Sequence, residues 1–180
     1  MVSVFLFGGA GKQKSASALR EILRRNFEMA FVAERQILSR SENPDFVVVE
    51  MEHLAQIAVP RAVVLCLEPF DMPEQACLPP DAVGLLSSDN LPAAEFIRRC
   101  QIRAMTLGMS SKDTLTLSSI TQDRAVLCLQ RGISDLSGNI LDPVEIPLSL
   151  SRRYDAFSIL CAAAVLMLSG QIDILKQILF

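Results

Sequence analysis

The residues most capable of chemistry stand in a glycine-rich segment near the start of the chain. An apolar stretch ends at Phe7, and the residues after it are of the types that hold a phosphate in strand-to-helix loops: Gly8, Gly9, Ala10, Gly11, Lys12 and Gln13. Glycines let successive backbone N–H groups point into one concavity, and the following helix N-terminus adds a partial positive charge. Lys12 would neutralise a phosphate there, so ATP, ADP or another phosphate anion is the candidate ligand.

Two interpretations of this loop stay open. Gln13 stands where such loops carry the Thr or Ser hydroxyl that holds magnesium, although its amide could donate a hydrogen bond to an anion without a metal. In the first interpretation, the loop binds phosphate but supports no metal-assisted reaction. In the second, the glycines serve only the backbone geometry of a strand-to-helix turn, and nothing is bound.

The candidate metal ligands are two carboxylates that follow later apolar segments. Glu50 ends the segment "DFVVVE", and Asp71 comes shortly after "AVVLCL". Sheets of α/β proteins place functional groups at the carboxyl ends of parallel strands. An acidic residue there can equally cap a loop or face solvent, so both interpretations stay open for each. No catalytic residue is identified, because the five cysteines are widely separated and the single histidine, His53, cannot form a histidine metal site alone.

Alternating strands and helices must position these residues. Buried strands are expected at short apolar, β-branched segments, and helices where apolar residues recur every three or four positions. The strands are predicted at 2–7, 46–49, 62–67, 82–86 and 104–107, with a further one at 30–38, and the helices at 15–27 and 92–100. This alternation predicts an α/β fold: a three-layer, P-loop-type, mostly parallel sheet with helices on both faces.

The pattern changes after residue 110. Segments that alternate like half-exposed strands, "TLTLSSI", "AVLCLQR" and "VEIPLSL", predict a small antiparallel extension. Two helices are expected to follow, an apolar one at Arg153–Ser169 and a short amphipathic one at Ile172–Phe180. We therefore expect a single domain over 1–180, which comprises a parallel core (1–110), antiparallel strands (111–150) and C-terminal helices (151–180).

Composition excludes several classes of protein. The net charge of −3, from 17 basic and 20 acidic residues, argues against general nucleic-acid binding. The dispersed cysteines lie in apolar segments, which is typical of a reducing compartment. The longest apolar stretch, 156–170, is too short to span a bilayer comfortably, and the N-terminus lacks the basic region of a signal peptide. We expect a cytoplasmic protein with no membrane span.

The order of these motifs resembles the ATP-binding central domain of the Mur ligases and their folylpolyglutamate synthetase relatives, over nearly the whole chain. That family's loop is roughly G-T-x-G-K-T-[ST], where this chain has "GGAGKQK". "PDFVVVEME" resembles the family's strand that ends in a magnesium-binding glutamate, which falls on Glu50. "AVVLCLEPFDM" resembles V-I-T-N-I-x-x-D-H, with Asp71 matching the aspartate, and "GLLSSDN" resembles L-N-x-D-D, with Asp89 matching. The resemblance implies a bacterial protein with an ancestral ATP site.

The departures from the family fall on its catalytic residues. Leu67 replaces the asparagine of the T-N-I motif, Met72 replaces its histidine, and residues 72–111 contain no lysine where the family carries a carbamylated one. The resemblance covers only the central domain, so we expect no counterpart of the ligases' flanking precursor-binding and amino-acid-binding domains. We therefore expect a pseudoenzyme, a non-catalytic binding or scaffold domain with a degenerate loop and no autonomous ligase activity. The alternative is a nucleotide-binding protein or weak ATPase that uses Gly8–Lys12, with Glu50 and Asp71 near the metal.

The apolar excess points to a protein partner. Hydrophobic residues make up 51% of the chain, and the mean hydropathy is +0.35. In the intact ligases, flanking domains would cover part of this surface, so here it would seek another protein or a second copy of the chain. Ile172–Phe180 is the candidate contact helix. The alternative for that helix is packing on the domain's own sheet.

Overall fold

A sheet of ten strands organises the chain, which the computed structural model describes at residues 1–8, 14–39, 41–53 and 56–180. The strands are β1 (Val2–Phe7), β2 (Met29–Ala33), β3 (Gln36–Ser39), β4 (Phe46–Met51), β5 (Ala62–Cys66), β6 (Val83–Ser87), β7 (Arg103–Leu107), β8 (Leu115–Ile120), β9 (Arg124–Leu129), β10 (Ile133–Ser134), β11 (Ile140–Leu141) and β12 (Val144–Ser149). The helices are α1 (Lys14–Asn26), α2 (Leu91–Cys100), α3 (Ala156–Leu168) and α4 (Ile172–Leu175). Across the sheet the order is β12-β9-β8-β7-β6-β5-β1-β4-β2-β3, and β10 and β11 form a separate hairpin.

The centre of the sheet is parallel and buried. β1 pairs in parallel with β4 on one side and with β5 on the other, and every residue of β1 and β5 is buried. Strands covered on both faces are continuous apolar runs rather than alternating ones, as both sequences show. Parallel pairing continues through β6 and β7 on one side and to β2 on the other. The carboxyl ends of these strands therefore lie along one edge of the sheet.

Helices cover both faces of the sheet. α1 buries Leu19, Ile22 and Leu23, which recur three and four residues apart, in the same apolar cluster as α3. α2 packs on the opposite face, where Phe96 and Ile97 join a second apolar cluster. The predicted three-layer α/β architecture is confirmed.

The helix α3 is the core helix of the domain. Every residue from Ser158 to Leu168 is buried, and a helix that is apolar all round belongs inside a protein. We predicted its start at Arg153, but it begins at Ala156, because the Asp155 carboxylate caps it by accepting a hydrogen bond from the Ser158 N–H at 2.9 Å. Among the described residues, no helix has the length and apolar character that crossing a membrane requires.

The segment predicted as a single strand at 30–38 is a hairpin. β2 and β3 run antiparallel and are joined by a two-residue turn, Glu34-Arg35. Neither residue is a glycine or an asparagine, the usual signals for so tight a turn, so the sequence hides it. β3 is the last strand at this end of the sheet.

Three of the five strands after residue 110 extend the main sheet. β8 pairs in parallel with β7 through Leu115 and Leu107, and β9 and β12 then add to it in antiparallel order. The predicted antiparallel extension is confirmed. The pairing of β7 with β8 makes this extension part of the same sheet as the parallel core.

The C-terminal residues fold back on their own domain. Only Ile172–Leu175 is helical, so the prediction of a helix over Ile172–Phe180 is wrong beyond Leu175. The Phe180 N–H donates a hydrogen bond to the Ser149 carbonyl at 2.9 Å, at the end of β12, and the Phe180 side chain is fully buried. Leu175 is also buried. This segment therefore packs on its own sheet.

A buried aspartate orders the β10–β11 hairpin. Asp135 accepts hydrogen bonds from the N–H groups of Ser137 (2.7 Å) and Asn139 (2.9 Å) and from the Asn139 side-chain amide (2.9 Å). Burial works to raise the pKa of Asp135, but the hydrogen bonds outweigh it and leave this pKa below its ordinary value. The Leu136 N–H donates to the Leu168 carbonyl at 2.9 Å, which ties the hairpin to the end of α3.

We expect the Asp135→Asn variant to lose about 1–3 kcal/mol of the free energy of unfolding at neutral pH, because the amide NH2 cannot accept the turn's hydrogen bonds. Since the folded pKa is lowered, the wild type keeps this stability above the unfolded pKa, near 3.8, and loses it as the pH falls through the lower folded value. Urea unfolding between about pH 7 and about pH 2.5 measures the difference. The two proteins should converge in acid, and a gap that is independent of pH would contradict this account.

Candidate functional site

The candidate site lies at the edge where the parallel strands end. β1 ends at Phe7 and leads into Gly8, while Glu50 and Met51 pair with the last residues of β1 at the end of β4. β5 lies on the other side of β1. Two clefts open at this edge, one toward β4 and one toward β5 and β6. They are called the β4 cleft and the β5 cleft below.

Gly8 brings two loops into backbone contact. Its φ is +92°, in the region that glycine adopts without strain. A Cβ atom at this position would lie 2.4 Å from the Leu67 carbonyl oxygen and 2.8 Å from the Pro69 carbonyl oxygen. The loop after β1 and the loop after β5 therefore touch at a point where only glycine fits.

The β4 cleft has a volume of about 540 Å³. It is lined by the start of the glycine-rich loop, the β2–β3 turn and the end of β4: Gly8, Ala33, Glu34, Arg35, Glu50, Met51, Glu52 and His53. The lining residues thus include three carboxylates, one guanidinium and one imidazole. Gly8 and Glu50 were predicted as site residues, and both line this cleft. The turn residues were missed, because nothing in the sequence signals the hairpin that carries them here.

The Glu50 carboxylate is already paired with a cation of the protein. Arg20 Nη1 lies 3.5 Å from Glu50 Oε2, and the Arg20 guanidinium stacks 4.6 Å from the centre of the Phe31 ring. Arg20 also donates to the Ser17 hydroxyl at 3.4 Å. Both charged side chains are largely withdrawn from water, which strengthens their interaction. A metal ion on Glu50 would lie beside Arg20, and the repulsion between the two cations disfavours it.

The β5 cleft, of about 440 Å³, lies between α1, the ends of β5 and β6, and the start of α3. It is lined by Ser15, Cys66, Glu68, Ser87, Asp155 and Phe157. Two carboxylates and two hydroxyls make its wall polar. None of these residues was predicted as a site residue, because each comes from a different element and only the fold brings them together.

Hydrogen bonds join the starts of α1 and α3 beside the β5 cleft. Ser158 Oγ donates to Asp155 Oδ2 at 2.6 Å and lies within hydrogen-bonding distance of Ser15 Oγ, at 3.3 Å. Asp155 therefore caps α3 and also holds the hydroxyl that contacts the first turn of α1. A sequence signal for this cap exists, because an aspartate directly before an apolar run is a typical N-cap.

Other predicted residues lie outside the two clefts or outside the described residues. Residues 9–13 of the loop are not among the described ones, so the phosphate prediction for them rests on the sequence. Asp71 is exposed and lines neither cleft, so it does not join Glu50. In the described ranges, no three His, Cys, Asp or Glu side chains lie close enough together to hold a metal ion.

Two positions at which the resemblance expects polar side chains hold apolar ones. Leu67 is 1% exposed and belongs to the core, and its N–H donates to the Phe7 carbonyl at 2.8 Å. Met72 lies on the surface, where Arg99 Nη1 approaches its Sδ to 3.5 Å. Neither side chain can donate a hydrogen bond to a substrate oxygen.

The thiol in the β5 cleft is not poised for chemistry. Burial, reinforced by the neighbouring Cys100, raises the pKa of Cys66 to about 12. At neutral pH, Cys66 is therefore protonated, and a thiol is a poor nucleophile and a poor metal ligand. The cleft offers polar binding groups rather than a reactive one.

Comparison with solved structures identifies the fold. The MurF ligase from Thermotoga maritima in complex with ADP matches 96% of this chain with a TM-score of 0.54 and 13% sequence identity. A MurF structure from Acinetobacter baumannii matches 98% of the chain (TM-score 0.57, 14% identity). A murein peptide ligase from Psychrobacter arcticus matches 97% (TM-score 0.57, 9% identity). The chain has the fold of these Mur ligases, as the sequence resemblance implied.

The similarity concerns the fold alone, and it covers only part of each ligase. This chain spans less than half of their length, 45% of the first and 46% of the other two. No protein-family model matches the sequence, and no curated protein matches it either.

Proposed function

We propose that this chain, which has the fold of the Mur ligases, is a non-catalytic binding or scaffold domain without autonomous ligase activity. The ion pair between Arg20 and Glu50 carries the proposal. Glu50 falls on the position of the family's magnesium-binding glutamate, and here its carboxylate is neutralised by the protein's own guanidinium. The position thus has a structural role in place of a metal-binding one.

The replaced positions support the same conclusion. Phosphoryl transfer to a carboxylate depends on metal ions and hydrogen-bond donors that stabilise the charge on the transferred group. Leu67 and Met72 supply no such donors, and Gln13 supplies no hydroxyl for magnesium. What the domain keeps is backbone geometry, which Gly8 and its contact with Leu67 illustrate.

The binding role has two candidate partners, another protein and a second copy of this chain. Exposed apolar surface favours both. The buried, free cysteines Cys66 and Cys161 agree with a reducing, cytoplasmic location. We treat 1–180 as one binding unit made of the parallel core, the antiparallel strands and the C-terminal segment.

The alternative function is nucleotide binding or weak ATP hydrolysis through Gly8–Lys12. It relies on this loop, because Asp71, the carboxylate expected to join Glu50 near the metal, lines neither cleft. One observation favours it: the Thermotoga maritima MurF with this fold was solved in complex with ADP. Backbone N–H groups could still hold a phosphate without magnesium. This alternative predicts ligand binding that depends on Lys12.

Thermal unfolding with ATP, ADP and pyrophosphate, each with and without Mg²⁺, separates the two functions. A ligand at about 100 times its Kd stabilises by about 2.7 kcal/mol, which raises the Tm of a domain of this size by roughly 5–10 °C. The non-catalytic proposal expects no Mg²⁺-dependent rise and no release of phosphate from ATP. Phosphate release that Lys12→Ala abolishes, and that the neighbouring control Lys14→Ala retains, would overturn it.

The Arg20→Gln variant tests the ion pair itself. If Arg20 is what keeps a cation from Glu50, then Mg²⁺ should raise the Tm of this variant and leave that of the wild type unchanged. An Arg20→Gln, Glu50→Gln double variant is the control and should lose the response. Equal Mg²⁺ responses in the wild type and in Arg20→Gln would show that the ion pair does not exclude the metal.

A further inference from the structure

The two edges of the sheet are treated differently. The outer strand at one end, β12, contains Pro147, which has no N–H to offer to another strand. The C-terminal residues also cover the end of β12: Phe180 bonds through its N–H to the Ser149 carbonyl at 2.9 Å, and the Ser151 N–H donates to the Phe180 carbonyl. Proline and a covering segment are standard means by which proteins block a sheet edge.

The opposite edge, β3, contains no proline, and no described segment pairs with its outer side. All four of its residues are exposed, and none is charged or a proline: Gln36, Ile37, Leu38 and Ser39. Ile37 is 77% exposed and Leu38 is 54% exposed. As neighbours in a strand, they point to opposite faces of the sheet. A partner that covers both must therefore lie in the plane of the sheet, as an added strand does.

The backbone of Ile37 faces the open edge. Ala33 and Gln36 flank the two-residue turn, and in such hairpins this closing pair is hydrogen-bonded. Bonding then alternates along the antiparallel pair, so Leu38 bonds to Phe31, whereas the N–H and C=O of Ile37 point away from β2.

We propose that β3 is a dimerisation edge, where a second copy of this chain adds its own β3 in antiparallel orientation about a two-fold axis at Ile37. Each Ile37 then exchanges both backbone hydrogen bonds with Ile37 of the other copy. The proposal names the partner for the binding role given above and rests on that role.

The side chains suit pairing with an identical strand. Because the two strands are identical, a charged residue in β3 would lie close to the same charge of the second copy and repel it. β3 contains no charged residue. On one face, Val49, Val32 and Ile37 are neighbours across β4, β2 and β3. In the proposed dimer, Ile37 of one copy lies beside Ile37 of the other, so the two aliphatic rows join into one.

On the other face, the pairing completes a groove. Leu38 lines a groove of about 270 Å³ between β3 and α1, together with Met29, Phe31 and polar residues of the helix. In the proposed register, Gln36 of the second copy lies opposite Leu38, at the mouth of this groove. Because only four residues of each copy pair, the interface is small, and we expect a weak dimer with a Kd of about 10–100 µM.

Sedimentation velocity of the full chain from about 5 to about 500 µM tests the proposal. The wild type should shift from monomer to dimer across this range. The Ile37→Lys variant places two ammonium groups opposite each other and should weaken the dimer at least about tenfold. The matched control is Ile140→Lys, since Ile140 is 75% exposed but belongs to the separate β10–β11 hairpin, and it should dimerise like the wild type.

Hydrogen exchange of the Ile37 amide gives a second measurement. In the wild type this amide should exchange more slowly as the concentration rises, and in Ile37→Lys position 37 should show no such change. A monomer throughout the range, or a dimer that Ile37→Lys leaves intact, would overturn the proposal. Either result leaves the proposal of a non-catalytic domain untouched, whereas phosphate release from ATP would overturn that proposal without bearing on β3.

Discussion

Replacing Gly8 with alanine is expected to lower the free energy of unfolding by about 2–5 kcal/mol. Two costs add. A φ of +92° is unfavourable for an L-residue by about 1–2 kcal/mol. The new methyl group would also lie 2.4 Å from the Leu67 carbonyl oxygen, which is backbone and cannot rotate away as a side chain would. Equilibrium urea unfolding of Gly8→Ala and the wild type measures the sum.

The Gly138→Ala variant separates these two costs. Gly138 has a similar φ of +88°, but no atom lies within 4 Å of the place that its Cβ would occupy. This control should therefore lose only the backbone part, about 1–2 kcal/mol. Equal losses in the two variants would show that the contact between Gly8 and the β5 loop contributes nothing.

Phe7→Ala is expected to cost about 3–5 kcal/mol, because it empties a well-packed aromatic cluster directly below Gly8. The Phe7 ring is 2% exposed, meets Phe70 edge-on with centroids 5.0 Å apart, and lies 6.0 Å from the Phe96 ring. Phe70 belongs to the loop after β5, and Phe96 to α2. For a domain of this size, the loss corresponds to a fall in Tm of roughly 6–20 °C.

Phe27→Ala is the matched control for Phe7→Ala. Phe27 also makes an edge-on contact, with Phe46 at 5.0 Å, but its side chain is only half-buried. Its truncation should cost less than that of Phe7, since less apolar surface is lost from the core. Phe7→Ala should also speed hydrogen exchange in the loop 67–71, which Phe70 anchors. A loop that keeps its protection would show that Phe7 does not support the site.

Both predictions concern the same feature, the contact of the β1 end with the β5 loop. Gly8 lets the two backbones touch, and Phe7 fixes their position from below. The close approach of Gly8 to the loop after β5 is thus a feature of the backbone, whereas Leu67, Met72 and Gln13 stand where the resemblance expects the side chains that serve the reaction. This separation of geometry from chemistry agrees with a domain that binds without catalysing.

Several features of the fold were predictable from the sequence, because local patterns encode them. Val2–Phe7 and Ala62–Cys66 are continuous apolar runs, and only strands buried on both faces need such runs. The helical spacing in α1 likewise sufficed to place it against the sheet. The α3 start was misplaced because the prediction passed over Asp155, although an aspartate directly before an apolar run is a typical N-cap.

The sequence by itself determined the α/β class and the places of β1, β5 and α1, because each depends on residues close together in the chain. Only the tertiary structure decided that Arg20 neutralises Glu50, that Ser15 meets Ser158, and that β3 forms an open edge. These features join residues far apart in the chain, and strand register and helix packing bring them into contact. No local pattern carries that information, because the partner of each side chain is set by the fold as a whole.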